Sequence, residues 1–113
     1  MSAKDKRLVL YRYQRIFNKP IDFEDDSEEM TDLYIDFYDD LQDSGLMDME
    51  YLDHMGDKSF DEVIPKVGEM SYQDCLTYLT FILRSEHWSE GWFLSCIKDG
   101  SIYKLLSRLL EVM

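Results

Sequence analysis

Two histidines, two cysteines and a dense set of carboxylates are the chemically capable residues of this 113-residue chain. A zinc centre needs His or Cys partners at ligand spacing, such as HxxxH or CxxC. His54 is flanked by Asp53 and Asp57, and His87 by Glu86 and Glu90, while Cys75 and Cys96 belong to no such pattern. No metal and no other cofactor is therefore expected. A nucleophile–base pair of Cys75 or Cys96 with His87 is equally unsupported, because both cysteines sit among apolar residues of helical period and read as buried, reduced thiols. The run Asp22-Phe23-Glu24-Asp25-Asp26 lacks the glycine of a calcium loop. The five glycines are dispersed rather than gathered into a phosphate-binding loop. The expectation is a protein that is not an enzyme.

The carboxylates themselves are unevenly placed. Residues 1–19 carry six bases (Lys4, Lys6, Arg7, Arg12, Arg15, Lys19) against Asp5 alone. Residues 20–74 carry 19 acids against Lys58 and Lys66, and residues 75–113 are balanced. The net charge of -12 argues against generic attraction to nucleic acid or to an anionic membrane. No apolar run approaches the roughly 20 residues of a membrane span. The opening Met1-Ser2-Ala3-Lys4-Asp5-Lys6-Arg7 holds no apolar signal core, so a cytoplasmic location is expected.

The elements that must position these groups are helical. Hydrophobic residues make up 45% of a chain long enough for one core, which predicts a single all-α domain over 1–113, a compact bundle of five or six short helices. Val9, Leu10, Tyr13, Ile16 and Phe17 form one stripe of a helix at about 4–17, ended by Asn18-Lys19-Pro20. Asp25 and Asp26, each three residues before a glutamate, give a capping-box pattern for a second helix from about Ser27 to Ser44. Its apolar face is Met30, Leu33, Tyr34, Phe37 and Leu41. Asp32, Asp36, Asp39, Asp40 and Asp43 fall within an arc of about 100° on the other side, extended by Glu28 and Glu29. A third helix, about 48–55, presents Met49, Leu52 and Met55 inward and ends at Gly56. Residues 57–70 read as irregular or a single turn. Ser71-x-x-Asp74 opens a fourth helix, about 72–85, with Cys75, Leu79, Ile82 and Leu83 inward. Ser89 is expected to cap a fifth, about 90–98, and Ser101 a last one with Ile102, Leu105, Leu106, Leu109, Leu110 and Met113 on its apolar face. Trp88, Trp92 and Phe93 read as core aromatics, with an exposed contact patch as the alternative.

Arg84-Ser85-Glu86-His87-Trp88-Ser89-Glu90-Gly91, followed by Lys98-Asp99-Gly100-Ser101-Ile102 and Leu106-x-Arg108-Leu109, resembles the closing motif of an uncharacterised bacterial family, domain of unknown function 6508. Phe37-Tyr38-Asp39 and Tyr51-Leu52 resemble the middle of that family. The likeness is clear over about 75–113 and weaker from about 30 to 55. It implies a small helical fold and a bacterial or mobile-element origin, and it does not imply a reaction. Arg84, Glu86, Glu90 and Asp99 could form a catalytic constellation. A structural polar network is the preferred reading, with Arg84 paired to Glu90 or Asp99 across a helix junction, Glu90 near a helix N-terminus and Asp99-Gly100 in a turn.

The acidic face of the second helix is the candidate functional surface. Five aspartates from Asp32 to Asp43 span about 16 Å, approaching the charge spacing of a nucleic-acid strand, about one per 3.4 Å. The expected partner is a basic, nucleic-acid-binding protein, inhibited by occupation of its basic surface as anti-CRISPR and other phage or mobile-element mimics do. No direct contact with nucleic acid or membrane is expected. The alternative is a homo-oligomerising helical module, a homodimer in which the basic first segment meets the acidic middle of a second copy.

Overall fold

The computed structural model describes residues 5–19 and 27–113. Among these there are seven α-helices and one 3-10 helix, and no strand. The all-α expectation holds. The Asp25/Asp26 capping pattern and the Asp22–Asp26 run lie outside the described residues.

α1 (Lys6–Phe17) begins at Asp5, whose carboxylate accepts the Arg7 and Leu8 N–H groups at 2.9 and 3.3 Å. That satisfies donors which the first helical turn leaves without a partner. α2 (Glu28–Asp43) is capped by Ser27, whose hydroxyl accepts the Met30 N–H at 3.1 Å. Glu28 and Glu29 in its first turn sit favourably at the positive end of the helix dipole. Its end is a Schellman motif: the Leu46 N–H bonds the Leu41 carbonyl at 2.8 Å, and the Gly45 N–H bonds the Gln42 carbonyl at 3.2 Å. Gly45 takes φ 75°, the left-handed conformation that only glycine adopts without strain. Leu46, the next residue, is fully buried and seals the turn.

α3 is shorter than expected, Tyr51–Met55, and only Met55 of its three forecast apolar residues is buried. Met49 and Leu52 are 66% and 67% exposed, because a helix of just over one turn has no second turn to hold them against the core. Residues 57–70 are more regular than expected. α4 (Phe60–Val63) is capped by the Ser59 hydroxyl, and a 3-10 helix covers Ile64–Glu69. α5 (Tyr72–Ser85) opens with the forecast capping box of Ser71 and Asp74. It is the central helix, with eight of its residues buried, including Cys75, Leu79, Ile82 and Leu83. α6 (Trp92–Lys98) and α7 (Ser101–Val112) complete the bundle.

α7 packs on α1 and α5 through Ile102, Leu105, Leu106 and Leu109, all fully buried. Polar ties fix the packing: Gln14 Nε2 donates to Ser107 Oγ at 2.9 Å, and Arg108 Nε donates to the Met70 carbonyl at 2.9 Å. Burial pushes the thiols of Cys75 and Cys96 up to about 12, so both remain protonated and act as packing groups. No helix among the described residues is long and apolar enough to cross a membrane.

Candidate functional site

α2 is held from one side by an aromatic knot. Phe37 is fully buried, with ring centroids 4.7 Å from Tyr13, 5.0 Å from Phe17 and 6.1 Å from Phe93. The opposite arc carries Glu28, Glu29, Asp32, Asp36, Asp39 and Asp43, all exposed, and the helix contains no Lys or Arg. These six carboxylates span about 22 Å of helix axis.

Asp40 departs from that arc. It is only 8% exposed, and its carboxylate accepts the Tyr13 hydroxyl at 2.5 Å and faces the Arg12 guanidinium at 3.5 Å. Burial, and then the Asp40 hydrogen bond, push the Tyr13 phenol well above its ordinary pKa, so the phenol stays a donor. At 100° per residue Asp40 lies at the border of the acidic arc, about 20° from the half-buried Leu33. The packing of α1 takes this border residue inward, so Asp40 joins α1 to α2 instead of the exposed stripe.

The forecast polar network resolves into separate contacts. Arg84 is paired with neither Glu90 nor Asp99; its Nη1 donates to the Tyr38 hydroxyl at 3.0 Å. Glu86 accepts the Gly91 N–H at 3.2 Å and the Phe93 N–H at 2.7 Å, which caps α6. Asp99 accepts the Ser101 N–H at 2.8 Å at the start of α7. Glu90 is exposed. Neither Ser89 nor Ser101 is the cap foreseen: the cap positions are Gly91 and Gly100, both left-handed, and Ser101 is the first residue of its helix. Glycine there lets the chain turn sharply enough for an earlier carboxylate to reach the free N–H groups. Glu86→Ala is expected to cost about 0.5–2 kcal/mol, the range for losing a helix cap. The midpoint of a urea titration followed by circular dichroism measures this, and no shift would mean that water satisfies those donors equally well.

A polar cluster that sequence reasoning missed lies where α3 meets α5. Asp48 is buried, and its Oδ2 accepts from Thr77 Oγ1 at 2.6 Å, His54 Nδ1 at 2.7 Å and Gln73 Nε2 at 3.1 Å. Its Oδ1 accepts the Glu50 N–H, and its own N–H donates to Thr80 Oγ1 at 2.8 Å. Burial raises the Asp48 pKa, but the bonds from Thr77, His54 and the Glu50 N–H outweigh it, and the net shift is downward. The Asp48 hydrogen bond, aided by the charges of Asp48, Glu50 and Asp53, raises the pKa of His54. A carboxylate-oriented imidazole is general-base geometry. Here its Nε2 faces Glu50 Oε2 at 4.0 Å, so His54 lies between two acids and is favoured as the cation. It is a clamp between α3 and α5.

The stability this clamp adds through His54 is full below the unfolded histidine pKa, about 6.5, and is lost as pH rises through the higher folded value. Wild type minus His54→Gln should therefore give a stability difference that shrinks between pH 6 and pH 8.5. Paired urea melts test this, and a difference that grows with pH would refute it.

Parts of α2, α3 and the end of α5 line one open cavity of about 570 Å³. Tyr38 comes from α2, Tyr51 and Leu52 from α3, and Arg84, His87 and Trp88 from the end of α5 and the turn after it. Tyr34 and Leu83 complete the lining, bonded to each other through the Tyr34 hydroxyl and the Leu83 carbonyl at 2.5 Å. Trp88 is not a core residue: it is 84% exposed, whereas Phe93 is buried and Trp92 half-buried against Phe60 and Phe81. His87 stands edge-on to the Trp88 ring at 5.0 Å.

Among the described residues, no three His, Cys, Asp or Glu side chains are grouped to hold a metal ion. Comparison with models of known families, with curated proteins and with solved structures finds no match for this chain.

Proposed function

We propose that this chain is a binding protein without catalytic activity, which presents the outer face of α2 to the basic surface of a partner protein, such as the channel in which that partner holds nucleic acid. The observation that carries the reading is the arc of six exposed carboxylates on a helix with no Lys or Arg, backed by the Phe37 aromatic knot. Like charges three or four residues apart repel by a few tenths of a kcal/mol per pair. A helix that keeps six of them on one face gives up some stability for a strong local field. Such a field raises association rates with a basic cleft and weakens as salt screens it over about 8–10 Å. On this reading the charge spacing stands in for phosphates, and the chain excludes nucleic acid from the partner. The mobile-element setting and the likeness to domain of unknown function 6508 belong to the same proposal.

The test is competition. A partner captured from host lysate at low salt is titrated with labelled nucleic acid in the presence of increasing amounts of this chain. Mutually exclusive binding is expected. A complex that holds nucleic acid and this chain together would overturn the mimic. A second copy as the partner would show instead as a doubled mass in solution, through the exposed Lys6, Arg7, Arg12 and Arg15 of α1.

A further inference from the structure

The cavity between α2, α3 and the end of α5 has a lining with an unusual balance of hydrogen-bonding groups. Arg84 offers five N–H donors and no acceptor. The Tyr38 hydroxyl accepts from it at 3.0 Å and keeps its own proton to donate, and Tyr51 lines the same cavity. The Leu83 carbonyl is already taken by the Tyr34 hydroxyl. The Glu86 carboxylate is turned to the Gly91 and Phe93 N–H groups. No carboxylate lies within ion-pair distance of Arg84 among the described residues, in a chain with 24 acids and 12 bases. The guanidinium, exposed and bonded to the Tyr38 phenol, thus has no carboxylate partner in a cavity that His87 also lines. Around it stand Leu52 and the Trp88 ring, apolar surface left to water, and the half-buried Tyr51. The volume is that of a small-molecule site.

We propose that this cavity binds a small aromatic monocarboxylate, its carboxylate on Arg84 and the Tyr38 and Tyr51 hydroxyls, and its ring against Trp88 and Leu52. An acceptor-only group is what a donor-rich site selects, and a planar carboxylate matches the guanidinium fork. A single charge fits better than a phosphate ester, because one guanidinium compensates one charge while the net charge of -12 repels any excess. The ring is required because covering Trp88 and Leu52 removes apolar surface from water. The site is separate from the acidic arc: on α2, Tyr38 projects about 130° from the centre of that arc. It therefore stands or falls independently of the partner-binding proposal.

The test uses the full chain and three probes: 4-hydroxyphenylacetate, its neutral amide, and acetate. Binding is read by calorimetry and by the NMR signals of the two indole N–H groups, Trp88 and Trp92. The acid is expected to shift the Trp88 signal and leave Trp92 in place. The amide and acetate are each expected to bind at least about tenfold more weakly, since each lacks one half of the recognition. Arg84→Gln should bring the acid down to the level of the amide. Trp88→Ala, at an exposed position that the fold does not need, should weaken acid and amide alike. Equal binding of acid and amide, or no shift of Trp88 at millimolar acid, would overturn the proposal. An Arg84→Gln variant that is folded by circular dichroism and binds as tightly as wild type would do the same.

Discussion

A Phe37→Ala variant is expected to lose about 3–5 kcal/mol of folding stability, the range for deleting a buried phenylalanine ring. Phe37 has no exposed surface, and its ring touches aromatics from α1 and α6 at once, Tyr13 and Phe17 from the first and Phe93 from the second. Alanine removes the apolar transfer energy of the ring. It also leaves a void bounded by three other rings, whose rigid shapes cannot collapse into it as a flexible side chain would. Domains of this size hold roughly 5–15 kcal/mol in total, so the loss takes a large share and leaves the variant partly unfolded at moderate temperature. Phe37→Leu, which keeps most of the volume, should cost much less. Urea titration followed by far-UV circular dichroism measures both. A loss under about 1 kcal/mol for Phe37→Ala would mean that the knot repacks and that α2 is held elsewhere.

The residues that place α2 were legible in the sequence because their signal is local. Met30, Phe37 and Leu41 recur at helical spacing, Ser27 and Gly45 punctuate the ends, and the buried face is the one that this spacing defines. The same holds for the Ser71–Asp74 capping box and for the wide apolar face of α7. What was not legible depended on neighbours far along the chain. Asp40 sits at the edge of its arc, and only the arrival of Tyr13 and Arg12 decides that it turns inward. Asp48 and His54 are six residues apart and match no helical or metal-ligand spacing. Their link becomes visible only when α5 brings Thr77, Thr80 and Gln73 against them. The caps of α6 and α7 misled for a related reason. Serine is the commoner cap, but Glu86 and Asp99 reach the free N–H groups across glycines whose left-handed backbone shortens the path. Trp88 has the composition of a core residue. It lies in the turn between α5 and α6, where no helical face directs it inward.

Replacing Asp36, Asp39 and Asp43 together by asparagine is expected to weaken binding to the basic partner by well over tenfold at low salt. Each single replacement should have a small effect, because the field of the arc is collective and the remaining carboxylates maintain it. Asp40 is left out of the set. Its carboxylate is bonded to the buried Tyr13 hydroxyl, so its loss would report on the α1–α2 junction and not on the surface. The three chosen side chains are exposed, and asparagine keeps their size, so the Phe37 knot and the helix should persist. Stability should stay level or rise slightly as self-repulsion is relieved. The salt dependence supplies the sharper criterion. If the arc acts through its field, the advantage of wild type over the triple variant must shrink as ionic strength rises, because screening removes from wild type what the substitutions removed from the variant. Affinity titrations of both proteins at two salt concentrations make the comparison, with circular dichroism to confirm equal helicity. A triple variant that binds as tightly as wild type would reduce the acidic face to a solubilising surface. A loss that is the same at both salt concentrations would point to short-range contacts and remove the phosphate-like field from the account.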